Sequence, residues 1–287
     1  MTVEKDMQTL PNPMIDSNQI VKMATDLVAL IAQYESCAIA FSGGVDSAVV
    51  AQAAYIAKGD CSVAITGLGA AVSQNDRSDA IEIATAIGIR HVQITTNEID
   101  NPDYVANDSQ RCFHCKSVLY HQIKQWCNAN NVATILSGTN RDDLSDYRPG
   151  LRAASQFDVH APLADLGFGK AEIRQLAEYW KLKIADKPAS PCLASRIAYG
   201  QVVSIERLTK IEKAERWLAA HGFRDVRVRL HADNMARIEL HSDDFSKLAE
   251  HSLRAKMVQD FREFGFAFIT ADLNGRESGS LNRTLDQ

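Results

Sequence analysis

Six consecutive residues, Ser42-Gly43-Gly44-Val45-Asp46-Ser47, have the composition of a phosphate-binding loop. They lie between a short apolar run, residues 36–41, and a helix-forming stretch that begins at Ser47. Glycines let backbone amides approach phosphate oxygens closely, and the N-terminus of the following helix adds partial positive charge. Ser42 and Ser47 bring hydroxyl donors. Asp46 would repel phosphate unless a cation lies between them, which makes it a natural Mg2+ ligand. Gly138 and Thr139 end a later strand, on the sheet edge where α/β proteins bind ligands. The loop lacks the lysine of the Walker pattern GxxxxGK(S/T). The whole hexapeptide in a strand–loop–helix setting points to a site that grips phosphate. The plain alternative is a strand–helix turn with Asp46 or Ser47 as N-cap.

The second group that could do chemistry is the thiols: Cys37, Cys61, Cys112, Cys115, Cys127 and Cys192. The polar, acidic N-terminus lacks the basic start and apolar run of a signal peptide. No window approaches eighteen uninterrupted apolar residues, so no membrane span is expected. A cytoplasmic location follows, where thiols stay reduced and metal binding or catalysis outranks disulfides. Cys112 and Cys115 form a CxxC pair, which suits a zinc half-site, a redox dithiol or two packed thiols. Arg111 and Lys116 flank it; they would lower thiol pKa values, meet phosphate, or sit as solvated surface charges. His114 is expected to pack or face solvent. Cys37 and Cys61 read as small core residues on buried strands, and Cys127, on an amphipathic helix, carries no chemistry. Asp142 and Asp143 would assist Mg2+, orient the loop, or cap a helix.

A third group is arginine-rich. In residues 224–230, Val226, Val228 and Leu230 alternate with Arg227 and Arg229, so the two arginines share one strand face and form an anion clamp. Arg237 and Glu239 likewise share a face, as an ion pair or a polar contact to ligand. Arg276, in a glycine-containing loop, would add a phosphate contact, with Ser278 and Ser280 as hydroxyl donors. Trp217 and Leu218 read as core.

These groups need a scaffold. The chain has 287 residues, 46% of them apolar and 23% charged, as in an ordinary globular protein. Strand and helix patterns alternate through residues 36–140, which predicts an α/β unit with a parallel sheet covered on both faces, spanning 1–185. Two prolines mark 186–200 as a connector carrying Cys192. Residues 201–287 read as a small α+β domain: a helix over 204–222, two strands, one long helix over 243–265, and a last strand. The net charge of −5 makes a large nucleic-acid footprint unexpected. Residues 196–287 nevertheless hold 11 arginines against 4 lysines.

The hexapeptide resembles the PP-loop of the ATP pyrophosphatases, whose members split ATP between the α and β phosphates and adenylate a carbonyl or carboxyl oxygen. Three further stretches narrow this: Arg111–Lys116, Gly138–Asp143 continuing through 146–150, and Ala189–Arg196. With the ending Asp272–Asn282 they resemble the LarE family of ATP-dependent sulfur transferases over nearly the whole chain. The resemblance implies the PP-loop fold, ATP and Mg2+. It also implies adenylation and then thiolation of a carboxylate on a pyridinium biscarboxylic acid mononucleotide, a step toward a nickel-pincer cofactor, and assembly as a ring-like hexamer. It makes Cys192 the leading catalytic cysteine and Arg196 and Glu215 substrate-binding candidates near it. Family members with one cysteine give up its sulfur. This sequence also carries Cys112 and Cys115, like the three-cysteine branch, whose thiolates hold a 4Fe–4S cluster with one open iron. Competing expectations are a sacrificial Cys192, a tRNA thiolation enzyme of the same superfamily, an amide-forming synthetase, and a non-catalytic ATP sensor.

Overall fold

A computed structural model describes residues 17–145, 149–185, 190–277 and 279–284. The first part runs α1 (Ser17–Ala32), β1 (Cys37–Ala40), α2 (Val45–Lys58), β2 (Ser62–Leu68), α3 (Gln74–Ile87), β3 (Arg90–Thr95), α4 (Pro102–Ala106), α5 (Arg111–Asn130) and β4 (Thr134–Leu136). It continues with α6 (Pro149–Gln156), β5 (Val159–His160), α7 (Pro162–Asp165) and α8 (Lys170–Tyr179). The five strands form one parallel sheet in the order β3-β2-β1-β4-β5. Successive side chains on a strand point to opposite faces. Cys37 and Ile39 therefore pack with α1, α2, α3 and α8, while Ala38 joins Tyr120, Ile123 and Cys127 of α5 and Ala153 of α6. Helices cover both faces, as the alternation of elements predicts.

The second part comprises α9 (Ile205–Ala220), β6 (Arg227–Leu230), β7 (Met235–Glu239), α10 (His251–Glu263) and β8 (Phe268–Ala271). β6 pairs antiparallel with β7, and β8 pairs parallel on its other side. Trp217 and Leu218 are core, as expected. The apolar cluster under this sheet also takes in Ala71 and Tyr104 from the first part and Leu193, Ala194 and Ile197 from the connector. No described helix is long and apolar enough to cross a membrane.

The expected long helix over 243–265 is broken. Ser242–Ala249 is 3-10, and Glu250 is extended before α10. The buried Asp244 carboxylate accepts a 2.7 Å hydrogen bond from Arg224 N and pairs with Lys247 at 2.7 Å, which fixes the earlier turn against the β6 approach. Cys61 is exposed in a 3-10 turn ahead of β2 and is not a core residue. α5 begins at Arg111 and so takes the CxxC into its first turn. The short helices over 149–179 have too few turns for their periodicity to stand out in the sequence.

One asparagine laces the connector to the first part. Asn107 closes α4 in the left-handed conformation (φ 57) and is fully buried. Its Nδ2 donates to Ala198 O (2.9 Å) and Gln201 O (2.8 Å), its Oδ1 accepts from Arg111 at 2.6 Å, and its carbonyl accepts from Gly200 N. Arg111 in turn donates to Ala194 O at 2.9 Å. Asn107→Ala strands these partners and places an alanine at positive φ, so urea denaturation is expected to register a loss of about 3 kcal/mol. Asn107→Gly relieves the backbone cost and is expected to lose measurably less; equal midpoints for Asn107→Ala and wild type would contradict the role given to this side chain.

Candidate functional site

The phosphate loop leaves the C-terminal end of β1 and enters α2 with Gly44 as N-cap, so neither Asp46 nor Ser47 fills that position. Ser47 instead donates back to Gly44 O at 3.0 Å and meets Ser42 Oγ at 3.2 Å, closing the loop on itself. Gly43 has φ +71, and a Cβ there would sit 2.9 Å from Ala80 Cα on α3. A Cβ on Gly138 would lie 2.7 Å from Ser47 N, so the turn after β4 packs directly on the loop. Thr139, in that turn, accepts from Ser137 Oγ at 3.1 Å. These two glycines are dictated by close approach. Asp46 stands in the first turn of α2, half-buried, and Mg2+ is commonly held by one carboxylate together with substrate phosphates, so the donor set fits that ion. Asp142 accepts from Lys170 N at 2.7 Å and from Arg141; this capping and Arg141 hold its carboxyl below the usual range. Asp143 accepts from Asn140 N.

Cys115 feels the charges of both Cys192 and Cys112. Cys112 and Cys192 are exposed and Cys115 is half-buried. Burial first, then Cys192 and Glu98, pushes the Cys115 thiol up to about 12, with Lys116 acting the other way. Burial pulls the Arg111 pKa down, but Cys192, Cys112, Tyr199 and a hydrogen bond to Cys112 outweigh it and raise it. His114 packs edge-on against Phe113. Among the described residues, no three His, Cys, Asp or Glu side chains close on a single metal ion. A 4Fe–4S cluster makes no such demand, because each cysteine ligates a different iron. The fit is also supported by Tyr104: its buried hydroxyl has no hydrogen-bond partner, and burial, Cys192, Cys115 and Glu98 together keep it protonated. A sulfur acceptor among the three cysteines would satisfy that donor.

The arginines sort into two kinds. Arg196 pairs with Glu215 through two bonds, 3.0 and 3.3 Å, and also donates to the carbonyls of Pro191 and Cys192. Glu215 in addition accepts from Val228 N at 3.0 Å. These two predicted binding residues therefore hold the Cys192 turn against α9 and β6. Arg229 donates to Ser195 O and to the buried Glu239, leaving its Nε unpartnered. Glu239 also meets Arg237 at 3.3 Å and the Ser280 hydroxyl, so this ion pair is buried and Ser280 is engaged. Arg276 pairs with Asp225 at 2.9 Å. Ser278 lies outside the described residues, as do 146–148 and 186–189 of the motifs. Arg227 is buried, and no carboxylate pairs with it among the described residues. Burial and the neighbours Arg276, Arg196 and Arg229 depress its pKa to about 10.

Two cavities meet at Pro191 and Arg227. One, about 160 Å³, is lined by Arg111, Ser195, Tyr199 and Arg229; the other, about 330 Å³, by Asp76, Asp79, Arg196, Glu215 and Arg276. Asp76 and Asp79 lie within about one helical turn of Ala80, against which Gly43 packs. Sequence reasoning brought the thiols, the arginines and the loop to attention separately. It missed Lys170, Asn107, Glu98 and Tyr104, which no local pattern marks.

No protein-family model matches the chain. The chain is 40% identical over 247 residues, 86% of its length and 92% of the relative's, to the uncharacterized protein slr1717 of Synechocystis sp.. It is 28% identical over 236 residues, 82% of its length and 88% of the relative's, to the uncharacterized protein MJ0830 of Methanocaldococcus jannaschii. Pyridinium-3,5-bisthiocarboxylic acid mononucleotide synthase of Lactiplantibacillus plantarum is 32% identical over 266 residues, covering 92% of this chain and 95% of the synthase. Identity at that level over nearly the full length of both chains, on a parallel sheet with the loop at the end of its central strand, shows that the chain belongs to the LarE family.

Proposed function

We propose that this protein is an ATP-dependent sulfurtransferase that converts a carboxylate of a pyridinium biscarboxylic acid mononucleotide into a thiocarboxylate. The observation that carries the reading is the pair of cavities meeting at Pro191 and Arg227, with the Cys192 turn between buried arginines and the helix that packs on the phosphate loop. The Lactiplantibacillus plantarum relative is named for a product of that chemistry.

ATP seats its phosphates on the amides and hydroxyls of residues 42–47, and Asp46 would hold Mg2+, which would supply charge neutralisation for the polyphosphate. Arg227 and Arg229 hold the anionic groups of the nucleotide substrate, and Arg276 borders them. A substrate carboxylate oxygen attacks the α phosphorus, the bond to the β-phosphate oxygen breaks, and pyrophosphate leaves. A sulfur nucleophile then attacks the acyl carbon. The carbon–oxygen bond breaks, and AMP departs with the former carboxylate oxygen. Cys192 anchors the site of that attack, and Arg196 and Glu215 keep its turn in place. A 4Fe–4S cluster on Cys112, Cys115 and Cys192 would supply an open iron for hydrosulfide, so that sulfur is renewed at each turnover. The electrostatic coupling of Cys115 to Cys112 and Cys192 and the unpartnered Tyr104 hydroxyl support it.

A second reading, in which Cys192 surrenders its own sulfur once, is favoured by that thiol's exposure. The acidic net charge speaks against a tRNA substrate. A cytoplasmic location and a hexameric assembly on the family pattern belong to the same proposal.

Asp46→Ala is expected to abolish pyrophosphate release in a coupled assay; full turnover in this variant would sink the PP-loop assignment. Anaerobic reconstitution with iron and sulfide should give a brown protein with broad visible absorbance, lost in Cys112→Ala and Cys115→Ala. A colourless wild type whose intact mass falls by one hydrogen sulfide after a single turnover would establish the sacrificial reading instead. Arg227→Ala should raise the KM for the nucleotide substrate by about tenfold or more while leaving that for ATP unchanged; parallel losses for both would argue against separate subsites.

A further inference from the structure

Asp46 has a partner that its expected role does not explain. The Lys170 ammonium donates to both carboxylate oxygens, at 2.8 and 2.7 Å. Lys170 is the first residue of α8, far from the loop in sequence, and its backbone is fixed. Its N–H donates to Asp142 at 2.7 Å, Gly169 N donates to Glu172 at 3.0 Å, and Arg141 N donates to Phe168 O at 2.9 Å. Only the four-carbon stem is free to move, and 38% of the side chain is exposed. An ammonium engaged with both oxygens repels a divalent cation and covers part of the carboxylate, so Mg2+ at Asp46 competes with this ion pair. A bare Asp46 would repel the incoming triphosphate. The loop itself holds no lysine, so the phosphates lack a cation from within it.

We propose that Lys170 is a displaceable countercharge: it neutralises Asp46 in the nucleotide-free protein, yields Asp46 to Mg2+ when Mg–ATP arrives, and passes its ammonium to the polyphosphate. A compact ammonium on a flexible stem suits such an exchange better than a rigid guanidinium. The inference rests on the ATP reading above and goes beyond it by naming the group that gates Asp46.

The exchange predicts effects of opposite sign on two ligands. In Lys170→Met, with the competing ammonium gone, Mn2+ without nucleotide should bind about tenfold more tightly than to wild type, read from loss of the free-ion EPR signal. Mg–ATP, deprived of a charge-assisted hydrogen bond, should bind about tenfold more weakly by calorimetry. Lys170→Gln, which keeps a neutral donor, should show the same pair of signs. Unchanged Mg–ATP affinity in both variants, or weakening of both ligands together as from a distorted loop, would overturn the proposal. Thermal melts of the variants identify that distortion. Wild type that binds no Mg–ATP would refute the ATP reading itself, whereas normal wild-type binding with unaffected variants refutes only the role of Lys170.

Discussion

The buried amide of Asn107 laces the connector to the first part of the chain, and the anchoring of the turn that carries Cys192 depends on it. Its donors hold the connector carbonyls of Ala198 and Gln201, and its oxygen holds Arg111, which reaches on to Ala194. Asn107, Arg111 and Ala194 are shut away from water, so each depends on the others for its hydrogen bonds. Cys192 lies two residues before Ala194, and Cys112 follows Arg111. The clamp therefore fixes two thiols that the chain makes far apart. Leu193 N, bonded to Ala71 O at 2.9 Å, adds a third tie at the same turn. Geometry of this kind suits chemistry in which sulfur must be delivered to one atom, because a loosely held connector would spread the thiol over many positions.

The second sheet manages buried charge unevenly. Glu239, fully buried, is shared by Arg229, Arg237 and the Ser280 hydroxyl, which is how a buried carboxylate escapes the cost of lost solvation. Arg227 has no such partner among the described residues, and its neighbours include three more arginines. Its pKa of about 10 still leaves it charged at neutral pH. The cavity beside Cys192 thus carries positive charge that an anionic ligand would relieve, and a phosphate or carboxylate gains from a site already desolvated.

The loop and this cavity are linked by packing. α3 offers Ala80 to Gly43 and turns Asp76 and Asp79 toward the cleft. Its first residue, Gln74, donates through its backbone N–H to Glu212 of α9 at 2.6 Å and accepts from Arg216. One helix thereby touches the loop at residues 42–47 at one point and the second part of the chain at another, which fixes that loop relative to the arginine-lined cavity.

The sequence by itself determined what is local. The period-two and helical patterns established the parallel sheet, the strand–loop–helix setting located residues 42–47, and the alternation in 226–230 put Arg227 and Arg229 on one face, where both are buried. These are properties of neighbouring residues, so a short window contains them. What the window could not contain was decided by the tertiary structure: that Arg196 and Glu215 bind each other, that Lys170 covers Asp46, that Cys61 is exposed, and that a helix breaks at Glu250. The Arg196–Glu215 and Lys170–Asp46 pairs and the turn at Asp244 each depend on which distant group arrives to meet a charge. That arrival is set by tertiary contacts such as those Asn107 makes to the connector, and no local propensity records it.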